Sequence, residues 1–311
     1  MMQPGSMPEP SSPTPTPPSR GKIFLRRLVS TVVLWSVVLA AMFSPNRILS
    51  DYFFLTIICL LSVAGMYEFY AMARRTGLKC FTQWGMLVGL VLLIGTYLHL
   101  HGQLGISGTP SRVNDFETSL LILFVLGLCV RQFLHHSLEQ AMAGMATTLL
   151  GLMYVPWLLN FIQKINFFPG VEGTWYVLYF IVVTKASDVG AYVTGSLIGR
   201  HKMIPRISPG KTWEGFGGAI AASILASHLL NHFAGHHLLG MNALHATILA
   251  AILGSTAVIG DLIESIFKRE AGVKDSGGQF PGIGGILDLL DSLLFNAPLM
   301  YLYLRHILAH P

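Results

Sequence analysis

Asp261, Ser265 and Lys268 stand at i, i+4 and i+7, so on a helix they share one face, with Arg269 beside them. Asp288 and Asp291 follow at i, i+3. Between the two groups lie Lys274, Asp275 and a glycine-rich turn ending in Gly284 and Gly285, where backbone N–H groups can approach a ligand closely. Carboxylates hold hard cations, and Lys and Arg neutralise phosphates. Two acidic helices joined by a basic, glycine-rich loop therefore suit a Mg²⁺–nucleotide site, where a metal stabilises an in-line displacement at phosphorus.

A second constellation lies upstream. It runs Asp188-Val-Gly-Ala-Tyr192, then Gly199-Arg200-His201-Lys202, then Ile207-Ser208-Pro-Gly-Lys211-Thr212-Trp-Glu214-Gly215. Ser208, Lys211 and Thr212 precede an apolar run, and such residues beside a helix N-terminus form an anion pocket. Gly210-Lys211-Thr212 looks like the end of a Walker A loop but is not one, because the first glycine of that pattern would fall on Pro205. Eight of the fifteen acidic residues lie between positions 188 and 291, several of them in or at the ends of apolar spans. Ionisable groups at membrane depth are expensive and mark function. One such group is explained by helix-to-helix hydrogen bonding; eight in two clusters mixed with Lys and Arg are not.

The elements that must position these groups follow from composition. The chain has 311 residues, 52% hydrophobic and 11% charged. That charged fraction is about half of what a soluble domain carries, too little to cover a water-facing globule of this size. A soluble enzyme, a disordered scaffold and a nucleic-acid-coating protein are excluded on that ground. The net charge of +5 comes without a dense Lys/Arg tract, which argues against nucleic acid and fits membrane lipids with anionic headgroups. Cys59, Cys80 and Cys129 are widely spaced, with no CxxC, and read as apolar fillers.

The fold class expected is an all-α polytopic membrane protein with nine transmembrane helices, at 28–44, 51–73, 82–100, 117–131, 144–163, 173–196, 214–234, 243–267 and 288–308. Residues 1–22 read as a disordered Pro/Ser-rich tail, 23–172 as N-terminal and middle helices, and 173–311 as a catalytic region with motif loops. With these spans, fifteen of the twenty Lys and Arg residues fall on one side and four on the other, Lys185 lying inside a span. The positive-inside rule then puts the N-terminus and both motif loops in the cytoplasm and the C-terminus outside. GxxxG spacing at Gly85/Gly89 and Gly195/Gly199 predicts close helix packing. His228, His232, His236 and His237 have metal-binding spacing but fall at the external end, away from the acidic clusters, and read as interfacial packing. Glu68 reads as a hydrogen-bonding partner for a neighbouring helix, or as a contributor to a lipid entrance, and Lys185 as an ion-pair partner of Asp188.

The second cluster resembles the signature of the phosphatidate cytidylyltransferase (CDP-diacylglycerol synthase) family. It does so at Ser265, Lys268, Arg269, Lys274, Asp275, Pro281, Gly282, Gly284, Gly285, Asp288 and Asp291. The first cluster is similar to that family's Asp-x-x-Ala-Tyr and Ile-Ser-Pro-x-Lys-Thr-x-Glu-Gly stretch. The resemblance implies that CTP and phosphatidic acid give CDP-diacylglycerol and pyrophosphate, with Asp261 and Asp288 holding Mg²⁺ and a second metal ion left open. Lys268, Arg269, Lys274 and Lys211 would clamp phosphates. Asp275 and Asp291 would complete the metal shell or orient the cations, with Asp188 and Glu214 at the site wall or behind it. A homodimer is expected on the same basis, and with no targeting segment read in the sequence a prokaryotic plasma (inner) membrane is the expected location. The chain departs from the family pattern at Ile283, often His, at Leu289, often Arg, and at Ser196, where Arg commonly follows the glycine. These departures keep two alternatives open: a related CTP-dependent enzyme acting on another lipid, such as an isoprenoid one, and a non-catalytic or transport relative.

Overall fold

The computed structural model describes residues 40, 42–102, 110–135, 139–277 and 284–309. Long helices dominate: α1 (Arg47–Arg75), α2 (Thr82–Leu100), α3 (Pro110–His135), α4 (Ala141–Leu152), α5 (Leu158–Asn166), α6 (Gly173–Ile198), α7 (Trp213–Ala234), α8 (Ala243–Glu270) and α9 (Ile286–Tyr303). A π-helical turn, Met153–Trp157, joins α4 to α5 in one continuous rod. Pro156 lies inside that turn, and the wider turn accommodates a residue that cannot donate a helical hydrogen bond.

Seven segments are long and apolar enough to cross a membrane: α1, α2, Val113–Leu134, Ala141–Asn166, α6, α8 and Ile286–Leu308. The expectation of nine spans is therefore met only in part. The 28–44 span lies almost wholly outside the described residues. The 214–234 span forms α7, 22 residues long, but Glu214, His228, Asn231, His232 and its glycines keep it out of the apolar set. Its neighbours satisfy its polar groups. Ser223 Oγ donates to the Val183 carbonyl at 3.1 Å and Ser227 Oγ to the Ala246 carbonyl at 2.8 Å. Small residues bring α6 and α7 close, since a Cβ on Gly190 would come within 2.5 Å of the Gly218 carbonyl oxygen. Gly85 and Gly89 play the packing role expected of them, facing Tyr70 and the Met66–Pro156 contact.

The all-α expectation has one exception. Residues 199–212, expected as a loop, carry a two-stranded antiparallel hairpin, β1 (Lys202–Ile204) and β2 (Ser208–Thr212), with Lys202 opposite Thr212. The core runs through α1, α5, α6, α8 and α9 and centres on Tyr70, Tyr176, Phe180, Leu253 and Leu294.

The basic loops gather at one end. Lys79, before α2, pairs with Glu139, before α4, at 2.5 Å, and this bond holds the Glu139 carboxyl below the usual carboxylate range. Arg131 lies over the Phe81 ring, and Arg269 Nε donates to the Ile207 carbonyl at 3.1 Å, tying the end of α8 to the hairpin. At the opposite end Lys164 and Glu117 form a buried pair at 2.5 Å, with Asn160 Nδ2 donating to Glu117 at 2.8 Å.

Candidate active site

A cavity of about 600 Å³ lies where α6, α8 and α9 meet beneath the hairpin. That volume suits a nucleotide-sized ligand. Asp188, Lys211, Asp261, Lys268, Asp275, Asp288 and Asp291 line it, with Tyr192 and Ser208 on the wall. Two stretches far apart in the chain thus converge on one space.

Each side chain is placed by its local structure. Thr212 is the N-cap of α7: its Oγ1 accepts from the Gly215 N–H at 3.1 Å. That cap stops β2 and starts the helix, so Lys211 points across the cavity, where it pairs with Asp261. Glu214 accepts from the backbone N–H groups of Arg200 at 3.1 Å and His201 at 3.2 Å, and pairs with the His201 imidazole at 2.6 Å. It closes the hairpin and is not among the residues lining the cavity.

On α8 the helical period puts Asp261, Glu264 and Lys268 along one inner stripe. Lys268 Nζ bridges Glu264, at 2.5 Å, and Asp288 of α9, at 2.6 Å. The other oxygen of Asp288 accepts from the N–H groups of Gly285, at 2.8 Å, and Ser276, at 3.0 Å. Asp288 therefore binds a cation with one oxygen and caps its own helix with the other. Gly284 adopts φ +98°, which an L-residue rarely reaches, and this turns the chain into α9. On α6, Lys185 Nζ donates to Asp188 at 3.0 Å and to the Leu289 carbonyl and Ser292 Oγ of α9, both at 3.1 Å.

Three carboxylates, Asp261, Glu264 and Asp291, offer oxygens within 4.8 Å of one another. Glu264 is fully buried, and its Oε1 has no hydrogen-bond partner among the described residues. A buried acceptor is rarely left unpaired. Three converging carboxylate oxygens with one unpaired match the oxygen ligation of a hard cation such as Mg²⁺. Asp288, paired in sequence with Asp261 as a metal ligand, is not in this group. Among the described residues no histidine belongs to a comparable cluster. His228 bonds Thr247 at 2.9 Å, and His237 bonds Glu172 at 2.8 Å and stacks on Trp175.

Of the expected phosphate clamps, Lys211 and Lys268 line the cavity. Arg269 instead braces loops, through Ile207 and the Val273 carbonyl at 3.4 Å, and Lys274 is exposed. Ser265 is buried in α8 outside the lining, and Gly284 and Gly285 shape the α9 entrance. Ile283, Pro281 and Gly282 lie outside the described residues. Sequence reasoning missed Glu264 as a site residue, although its spacing from Asp261 and Lys268 was the signal for it.

The model of the cytidylyltransferase family matches residues 25–307. A phosphatidate cytidylyltransferase of Haemophilus influenzae (strain ATCC 51907 / DSM 11121 / KW20 / Rd) is 29% identical over 290 residues, 88% of this chain and 96% of that protein. A phosphatidate cytidylyltransferase of Staphylococcus epidermidis (strain ATCC 12228 / FDA PCI 1200) is 45% identical over 133 residues, 43% of this chain and 50% of the relative. The uncharacterized protein YnbB of Escherichia coli (strain K12) is 34% identical over 171 residues, 55% of each chain. Against the last two, the chain spans about half the length of the relative. The family match covers both motif stretches and the helices that carry them, and the chain belongs to the cytidylyltransferase family.

Proposed function

We propose that this chain is a phosphatidate cytidylyltransferase, converting CTP and phosphatidic acid to CDP-diacylglycerol and pyrophosphate. The observation that carries the reading is the single cavity in which Lys211 and Lys268 face Asp261, Asp288 and Asp291. A lipid phosphate oxygen attacks the α-phosphorus of CTP. The new P–O bond forms as the bond to the bridging oxygen breaks, and the electron pair leaves with pyrophosphate. The nucleophile is already anionic at neutral pH, so the site requires no general base. Lys211 and Lys268 hold the triphosphate and offset the charge that builds on the leaving group. Asp261 orients Lys211, Glu264 and Asp288 orient Lys268, and Asp188 is held at the wall by Lys185. Asp261, Glu264 and Asp291 would hold Mg²⁺, with Asp288 beside them. When bound, the metal supplies charge neutralisation and alignment for in-line transfer.

The reading includes a bacterial inner membrane location, a cytoplasmic N-terminus and motif end, and an external C-terminus. The excess of Lys and Arg at the cavity end supports this orientation. It also includes a homodimer, which sedimentation of the detergent-solubilised protein checks. The test of function uses purified protein in detergent with Mg²⁺, labelled CTP and phosphatidic acid. Lipid-extractable cytidine label together with pyrophosphate release, both requiring the lipid and the metal, supports the proposal. Leu289 and Ser196 keep a second reading in view, the same transfer to another lipid phosphate. Metal-dependent CTP binding without turnover on phosphatidic acid favours that second reading.

A further inference from the structure

Glu68 sits on α1, some two hundred residues before the Asp261–Asp291 stretch, and is 2% exposed. No cation pairs with it among the described ion pairs. Its carboxylate instead accepts from the N–H of Ile286 at 3.0 Å, the N–H of Leu287 at 2.9 Å and the Ser276 hydroxyl at 2.9 Å. The first two are unpaired donors of the first turn of α9, the place on a helix where an anion is most stabilised. The surrounding chain is shaped around it. A Cβ on Gly277 would come within 2.2 Å of one carboxylate oxygen, and a Cβ on Gly285 within 2.4 Å of the other. Two glycines thus make room for this one side chain.

Ser276 is shared between Glu68 and Asp288. The Ser276 N–H and the Gly285 N–H donate to Asp288, and the Asp288 N–H donates to Ser276 Oγ at 3.3 Å. Asp288 in turn holds Lys268 at 2.6 Å. A continuous chain of hydrogen bonds runs from α1 to the cavity wall: Glu68, Ser276, Asp288, Lys268.

We infer that Glu68 is a positioning residue for the transfer reaction, fixing Asp288 and Lys268 in the cavity from outside it through Ser276 and the first turn of α9. The inference rests on the proposed cytidylyltransferase activity, but half of it is testable without that activity. The N-terminal helices would then complete the site, in addition to anchoring it in the membrane.

Glu68→Gln keeps the size but turns one acceptor into a donor that faces an N–H or a hydroxyl. Two measurements test the claim. The first is hydrogen exchange of the full-length protein in detergent with no substrate. The amides of 284–289 are expected to exchange faster in Glu68→Gln while α6 and α7 keep their protection. The second is kinetics, normalised to folded protein. We expect kcat to fall on the order of 10- to 100-fold, as for a misplaced reacting constellation, with the Mg²⁺ concentration for half-maximal rate shifted. Tyr70→Phe, on the same helix as Glu68, removes a hydrogen bond to the Thr148 carbonyl of α4; it serves as the structural control and should change neither. Glu68→Gln combined with Ser276→Ala should lose no more than Glu68→Gln alone, because both act through one link. Unchanged exchange at 284–289 overturns the inference. So does a wild-type kcat and Mg²⁺ dependence in Glu68→Gln, or strict additivity with Ser276→Ala. If the wild-type protein makes no CDP-lipid, the functional reading fails, and the exchange measurement alone decides whether Glu68 sets this segment.

Discussion

Lys211 of the β-hairpin and Asp261 of α8 form an ion pair across the cavity, joining the two motif stretches directly. Both side chains are largely shielded, at 19% and 32% exposure, so their attraction is less screened than at an open surface. The pair sets up a competition: a cation at Asp261 must displace the ammonium, and the freed ammonium is then placed for a phosphate. Lys211→Met should therefore raise KM for CTP by about tenfold or more, the worth of one charge-assisted hydrogen bond at ~1.5–3 kcal/mol. It should also lower the Mg²⁺ concentration needed for half-maximal rate. Steady-state kinetics at varied CTP and Mg²⁺ read both, and an unchanged KM removes Lys211 from the phosphate contacts.

Lys268 is the only cation that the described ion pairs give to either Glu264 or Asp288. Removing one partner of a buried pair strands the others, at a cost of about 3–5 kcal/mol. Lys268→Met should abolish turnover and lower the melting temperature in detergent. Adding Glu264→Gln should recover part of the melting temperature, since one stranded charge is gone, and none of the activity. Recovery of activity in the double variant would mean that Lys268 acts only structurally.

The carboxylates expected to share one metal are divided in the structure. Asp261, Glu264 and Asp291 converge, while Asp288 spends its oxygens on Lys268 and on two backbone N–H groups. Glu264→Gln and Asp291→Asn should each weaken Mn²⁺ binding, followed by electron paramagnetic resonance without substrate, on the order of 10- to 100-fold. Asp288→Asn should weaken it less while still lowering kcat. Equal loss in all three would return Asp288 to the metal site.

How far the sequence exposed this arrangement depended on the range of each interaction. The i, i+4 and i+7 spacing of Asp261, Ser265 and Lys268 is local, so that face of α8 was readable, although Glu264 beside it was missed. So was the ion pair of Lys185 with Asp188, three positions apart, whereas Thr212, read as part of an anion pocket, caps α7. The hairpin was not readable, because Lys202–Ile204 and Ser208–Thr212 are short, the second opens on Ser-Pro-Gly, and neither shows an alternating apolar pattern. The span count is met at seven helices; α7 falls outside the apolar set through its Ser, Gly and His, and α6 and α8 satisfy its serines. Glu68 was read as a hydrogen-bonding partner for a neighbouring helix or part of a lipid entrance, but its partners lie more than two hundred residues away. Neither periodicity nor spacing carries a contact of that range.

Lys185 illustrates a departure from the family pattern with a structural consequence. The resemblance leads to Arg at position 289, and the chain has Leu289, yet the backbone carbonyl there accepts from Lys185 of α6 at 3.1 Å. The same ammonium holds Asp188 and Ser292 Oγ. A cation thus reaches this turn of α9 from a neighbouring helix. Lys185→Met would leave Asp188 without a counter-ion beside Asp261 and Asp291 and would break the link between α6 and α9. We expect a lower melting temperature and a kcat reduced by about tenfold, with KM for CTP nearly unchanged, because Lys185 is not among the residues lining the cavity. Ser292→Ala should add little in the Lys185→Met background, since both remove the same contact. A KM increase matching the kcat loss would instead place Lys185 in direct contact with the nucleotide.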